Sequence, residues 1–342
     1  MSTQLDASIG LSASESTFGT PVVDDRFFEF TDEKFEWKPS FVQGAGLRVG
    51  TRVARNDRRK LGKQEAEGEI EIEAVSKGMG RLFEAALGSV TSTMIAAGPG
   101  YQQNHTLTTT DPIKSYTIQK GVPTIGGGTT QAVTFPGSVC TNLEISASTG
   151  DIVKIKTGWK AREVRTDIAY AAPSYPTTPE LFTFVDGAIT IGGTLTMPTT
   201  TALATGGTVV ANITDFSLSV DNKLDDGGFT FGGAGKRTRK QVVGLADAKG
   251  KITAEYTDNT LRDAYLNQTG LAIVMTFTSS VAITAGVYPT LQIVIPLAKL
   301  EGDIPNASGG KPIMQSIDYT VLDAATGNAP LTIVYRTSDT TV

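Results

Sequence analysis

The chain holds one histidine and one cysteine, so chemistry that needs paired imidazoles or a thiol cluster is excluded at the outset. His105 is the sole candidate for histidine base catalysis. It lies in "QQNHTLTTT", a threonine-rich strand or loop edge whose neighbours offer hydrogen bonds, which reads as a structural or exposed histidine. Cys140, between Val139 and Thr141 in an apolar strand, reads as a small buried hydrophobe rather than a nucleophile. The acidic run "DNKLDDGG" (221–228) suggests a calcium loop only superficially. Lys223 stands where a ligand is needed, Asp226 where the turn needs glycine, and Gly232 where a bidentate glutamate should close the loop. "TFGGAGKRT" carries a Gly-Lys pair, but Thr230 replaces the first glycine and Arg237 follows the lysine, so no phosphate-cradling loop is expected. These residues predict no catalytic, cofactor or metal site, hence no enzyme.

Two charged patterns remain. Glu69, Glu71 and Glu73 alternate with Ile70, Ile72 and Ala74, a half-buried strand with a row of carboxylates on its open face. In "GLRVGTRVARNDRRKLGK" (46–63), Arg48, Arg52, Arg55, Arg58, Arg59, Lys60 and Lys63 are dense enough to contact phosphates. No aromatic residue interleaves with them, as stacking on single strands would want, and the adjoining "QEAEGEIEIE" is acidic. A basic loop beside an acidic strand also suits a contact between subunits, with the loop of one lying over an acidic surface of the next. Other function classes compatible with these patterns are a nucleic-acid-binding module and a β-rich adhesin or surface polymer. The latter would need exposed aromatic platforms, and only Trp37 and Trp159 are available, both in strand patterns.

The elements that must position these charges are legible from periodicity. After the glutamate strand, Met79, Leu82, Phe83, Ala86 and Leu87 fall at helical spacing, with Ser76 as the expected N-cap and Gly88 as the stop. The passage recurs from Gly250. Ile252 and Ala254 give the strand; Leu261, Ala264 and Tyr265 give the apolar stripe of a second helix, with Thr257 or Asp258 as cap and Gly270 as stop. A basic, glycine-containing loop precedes each strand, and each half ends in a hairpin, turning at Thr149–Gly150 and at Ser308, Gly309 and Gly310. The sequence therefore predicts a mainly β chain of two tandem antiparallel units, each with one flanking α-helix. A first unit over 1–170 carries an N-terminal arm and the long basic loop 44–66, a linker and variable segment covers 171–204, and a second unit covers 205–342.

At 342 residues, with 30 basic and 35 acidic side chains and a net charge of −5, the chain is long enough for about two cores and too mildly charged to coat nucleic acid or an anionic membrane. The polar N-terminus carries no secretory pattern and no window of about eighteen apolar residues occurs, so a soluble protein made in a cytoplasm is expected.

The segments "ESTFGTPVVDDRFFEFTDE" (15–33), "SYTIQKGV…FPGSVCTNLEISASTGDIVKIKTGW" (115–159), and "SLSVDNKL" with "KGKITAEYTDNTLRDAYL" (217–266) resemble major tail tube proteins of long-tailed, non-contractile bacteriophages of the siphovirus type. The resemblance implies β-barrel or sandwich units that assemble into rings stacking into a hollow tube. That tube would surround a tape-measure protein during assembly in the host cytoplasm, meet tail terminator and distal tail proteins at its ends, and conduct double-stranded DNA during ejection. Family rings are hexamers of one-domain chains or trimers of two-domain chains, and the repeat favours the trimer. The loop at 44–66 matches the position of the family's inter-ring loop, and the family's acidic lumen makes Glu69, Glu71 and Glu73 candidates for lining it. Inward carboxylates would repel phosphate even with a screening length of about 8 Å at physiological salt.

Overall fold

The computed structural model describes residues 4–95, 98–108, 113–125, 128–210, 212–302, 304–306, 309–310 and 312–342. The first half of the chain forms β1 (Ser8–Ser14), β2 (Asp24–Phe27), β3 (Phe30–Trp37), β4 (Phe41–Gln43), β5 (Arg59–Leu61), β6 (Ala66–Glu73), α1 (Gly80–Leu87), β7 (Gly88–Met94), β8 (Tyr101–Leu107), β9 (Tyr116–Val122), β10 (Gln131–Ser148) and β11 (Lys154–Ala161). The second forms β12 (Gly187–Thr196), β13 (Thr205–Val209), β14 (Ile213–Asp221), β15 (Asp247–Glu255), α2 (Thr260–Leu266), β16 (Leu271–Thr278), β17 (Thr290–Gly302), β18 (Met314–Val321) and β19 (Thr332–Thr337). The fold is mainly β and antiparallel with two α-helices, as the alternation of apolar and polar residues requires.

Two strands are long enough to serve two sheets. The first part of β10 pairs with β9, which continues to β1 and β2, while its second part pairs with β11 on one side and β14 on the other. In the same way the first part of β17 lies between β16 and β19, and its second part pairs with β18. One continuous eight-stranded sheet results, in the order β3-β6-β11-β10-β14-β15-β18-β17. The second layer is built from β2-β1-β9-β10 and from β13-β12-β16-β17-β19-β8-β7. Among the described residues these pairings branch at β10 and β17 and do not close on themselves. The β7–β8 hairpin, from the first half, extends the sheet of the second half through β19.

A single apolar cluster fills the space between the layers across both halves, holding Ile70, Ile72, Ile145, Ile155, Leu218, Ile252 and Ile317 from the eight-stranded sheet. Met79, Leu82, Phe83 and Leu87 of the α1 segment are buried in it, as the helical spacing predicts, and Phe83 packs edge-on against Tyr335 at 5.8 Å. On α2, Leu261 is buried and Tyr265 lies half-buried against the same cluster. Gly68 and Gly250 occupy equivalent points in β6 and β15. A Cβ at either would collide with an aromatic ring, Phe35 over the first and Tyr319 over the second.

Two local expectations are corrected, and one open alternative is resolved. Ser76 does not cap α1; Met79 occupies the N-cap, and the Ser76 hydroxyl accepts the Glu180 amide at 2.8 Å. Gly88 does end that helix, at φ 88, a conformation that suits glycine because it lacks a Cβ. The second helix stops before Gly270, because Gln268 already takes a left-handed conformation at φ 50. Asp258 rather than Thr257 serves the start of α2, its carboxylate accepting the Thr260 amide at 2.8 Å. The Thr149–Gly150 turn joins β10 to β11, and Gly309–Gly310 form a turn between β17 and β18; Ser308 lies outside the described residues.

Candidate assembly surfaces

The residues that could have done chemistry are sequestered. His105 is fully buried against Phe83, with ring centroids 5.5 Å apart, and burial pushes its pKa down to about 3. The expectation that strand neighbours would satisfy it by hydrogen bonding is not met. Among the described residues neither ring nitrogen has a hydrogen-bond partner. Cys140 is buried and its thiol pKa is pushed up by the loss of water. The carboxylates of 221–228 are held by cations of the chain itself: Lys223 holds Asp221 at 2.6 Å, Lys160 holds Asp226 at 2.6 Å, and Arg239 holds Asp225 at 2.6 Å, keeping Asp225 down at about 2. No group of carboxylate, histidine and cysteine side chains fit to hold a metal ion occurs among the described residues.

What the fold does create is an extended charged surface. In β6 the residues alternate strictly, with Ile70 and Ile72 inward and Glu67, Glu69, Glu71 and Glu73 on the outer face. Register carries this polarity across all eight strands, because opposite residues in antiparallel pairs share a face. Asp32 and Glu36 of β3 join the four glutamates of β6, followed by Glu144, Asp215, Asp221, Asp247, Glu255, Asp318 and Glu301. The basic residues on the same face are Lys34, Lys154, Lys156, Lys160, Lys249, Lys251 and Lys299. Thirteen carboxylates against seven lysines leave six surplus negative charges, so the negative balance of the whole chain, −5, resides on this one face. None of the aligned positions is aromatic.

The glutamate row is partly neutralised from β11. Lys156 reaches Glu69 at 2.9 Å, and that hydrogen bond raises the lysine pKa. Lys154 turns instead to Asp151 at 3.1 Å, with Glu71 and Glu73 adding weaker attraction. Sequence reasoning did not find the β11 lysines, although "DIVKIKTGWK" alternates as regularly as the glutamate strand.

The basic segment forms a hairpin at one end of the sheet. β4 and β5 pair with each other alone, and the Gly44 amide donates to the Arg58 carbonyl at 2.9 Å. Arg48, Arg52, Arg58, Arg59, Lys60 and Lys63 are exposed and, among the described residues, lack an ion-pair partner, whereas Arg55 meets Asp57. Arg59 lies over the Phe41 ring at 4.4 Å and Lys63 over Phe229 at 4.9 Å. Leu47 and Val49 at the tip are fully solvent-exposed, at 102% and 99%.

The second basic loop, 232–241, behaves differently. Arg237 is buried, stacked on Phe229 at 4.5 Å and bonded to Glu65 at 2.8 Å; Lys236 pairs with Glu163, and Arg239 with Asp225. The Gln64 amide donates to the Gly235 carbonyl at 2.7 Å, so this loop braces the base of the first hairpin. Similar composition hides opposite roles, because Glu65, Glu163 and Asp225 reach the cations of the second loop, whereas in the first only Arg55 meets a carboxylate among the described residues.

The eight-stranded sheet ends in strands with one unpaired edge each, β3 at one margin and residues 299–302 of β17, beyond the Leu271↔Ala298 pair with β16, at the other. Unpaired strand backbone seeks a partner. Among the described residues no helix is long and apolar enough to cross a membrane. No curated protein matches the chain. A family model described as phage tail tube protein matches residues 6–321, and with its β-rich, antiparallel architecture and open sheet margins the chain belongs to the phage tail tube protein family, a structural component of the virion tail.

Proposed function

We propose that three copies of this chain close into a ring, and that rings stack into the tail tube of a siphovirus-type phage with the carboxylate-rich face turned inward. The observation that carries the reading is the β10–β14 junction. There the sheet passes from one half of the chain to the other through seven consecutive residue pairs, Asn142↔Asp221 to Ser148↔Asp215.

The two halves repeat one order of pairing. β6, β11, β9 and the two-part β10 in the first correspond to β15, β18, β16 and the two-part β17 in the second, with β3 matching β14. This supports two units, 1–170 and 205–342, joined by 171–204, of which Gly187–Thr196 adds a strand beside β16. If β10 meets β14 within a chain, the edge of β17 has its counterpart partner in β3 of the next chain. Three chains then supply about 24 strands. At the usual tilt of 35–45° such a barrel is about 48 Å across between backbones, wide enough for a hydrated duplex. A hexamer of chains would be twice as wide.

The inward face suits passage. It is wettable, bears no aromatic platform for bases, and its surplus negative charge repels phosphate. The tape-measure protein would occupy the tube during assembly in the host cytoplasm, terminator and distal tail proteins would cap it, and DNA would pass through it on ejection. The hairpin at 44–66, with unpaired cations and an exposed apolar tip, is the element left to join successive rings.

Electron microscopy of the purified protein tests this reading. Hollow filaments with threefold or pseudo-sixfold end views are expected. Monomers that stay dispersed at high concentration, or solid fibrils, would overturn it.

A further inference from the structure

The hairpin leaves the sheet where β3 ends and β6 begins, at Trp37 and Ala66. The opposite end of the sheet, about 25 Å away for strands of eight residues, is where β10 and β15 end and β14 begins. A groove of 680 Å³ opens there, between the eight-stranded sheet and the short turn Phe184–Asp186. Its rim is apolar and open: Phe184 is 44% exposed, Val185 76% and Val209 74%. Asp215 and Glu255 also line it, neither has an ion-pair partner among the described residues, and no basic side chain lines it. Asp186 beside them is committed to the Thr183 amide and hydroxyl, and Asp151 to Lys154.

The hairpin offers the complement. Leu47, Val49 and Val53 stand bare among Arg48, Arg52 and Arg58, with Asp57 as the single acid between residues 41 and 64. Both surfaces are apolar at heart and charged at the edge, of opposite sign, and they sit at opposite ends of one sheet. A head-to-tail stack brings these two ends together in every layer, a heterologous contact that propagates.

We infer that this groove is the acceptor for the hairpin of a second copy in the adjacent ring: Leu47, Val49 and Val53 enter between Phe184, Val185 and Val209, while the arginines face Asp215 and Glu255. The inference rests on the stacking reading above and names its other half. Within the chain the pairing is impossible, because hairpin and groove lie at opposite ends of the sheet.

Charge reversal separates the two claims. Arg48→Glu, Arg52→Glu and Arg58→Glu together should leave folded chains whose filaments are about tenfold shorter at equal concentration, or absent, since several exposed pairs are lost in each layer. Asp215→Arg with Glu255→Arg should do the same, and one chain carrying both sets should recover length. Circular dichroism and ring formation check that each variant folds and closes. Recovery by the combined chain, with each parent defective, is the expected result. Hairpin reversal that blocks stacking while groove reversal leaves filament length unchanged would overturn the acceptor assignment and leave the stacking role standing. Two defective parents without recovery would also overturn the assignment. Filaments unaffected by hairpin reversal would remove the stacking role and the acceptor with it.

Discussion

Replacing Glu69, Glu71 and Glu73 with lysine tests the lining role most directly. The three substitutions bring the outer face of the eight-stranded sheet from thirteen carboxylates and seven lysines to ten of each, which cancels its surplus negative charge. The cost to folding is small, because the three side chains are partly exposed and one direct ion pair is lost, Lys156–Glu69 at 2.9 Å. An exposed pair of this kind is worth about 0.5 kcal/mol, against a fold stability of about 5–15 kcal/mol, so folded chains and tubes are expected. DNA affinity is what changes. Fluorescence anisotropy of a short labelled duplex mixed with assembled tubes should show no binding to wild type. The lysine variant should bind, and if three lysines per bound duplex neutralise phosphates, affinity falls about 40-fold between 50 and 200 mM salt. Glutamine at the same positions leaves the face net negative and should stay non-binding. Virions built with the lysine variant should eject DNA more slowly. Lysine tubes that ignore duplex at 50 mM salt, or virions that eject at the wild-type rate, would refute the inward placement of this strand.

Other outcomes follow from particular contacts. His105 has an ordinary pKa of 6.5 that burial lowers to about 3, so the unfolded chain binds a proton that the folded chain refuses. Stability is therefore full above pH 6.5 and falls as pH drops from there toward 3, by about 2 kcal/mol between pH 7 and pH 5. His105→Gln should flatten that part of a urea-unfolding profile, and an unchanged slope would deny the burial. Leu82→Ala, at a fully buried position, should cost about 2–5 kcal/mol in chemical denaturation, and Leu261→Ala, 8% exposed at the edge of the second helix, should cost less. Raising salt from 0.05 to 1 M contracts the screening length to about 3 Å and should shorten filaments measured by light scattering, if ring-to-ring contact is between unlike charges.

Side-chain alternation makes Glu69 and Ile70 face opposite ways whatever surrounds them, and the 3.6-residue spacing of Leu82, Phe83 and Leu87 needs a buried stripe, so these elements were readable from one dimension. The failures have a common cause. Ser76 looked like a cap because its type suits one, but its hydroxyl is claimed by Glu180, 104 residues away. His105 looked satisfiable because threonines flank it in sequence, yet in a strand those neighbours point elsewhere, and the ring meets Phe83 instead.

The amino-acid order alone determined which residues alternate, where helices interrupt strands, that the pattern occurs twice, and that a thiol or imidazole cluster is impossible. Tertiary structure decided which basic loop is free and which is neutralised, since Glu65, Glu163 and Asp225 reach only the second. It also decided that β10 meets β14, which makes one charged face out of two halves. Periodicity is a property of neighbouring residues and survives in a string of letters. Charge pairing and sheet edges depend on which distant segments share a few ångströms, and only folding brings those together.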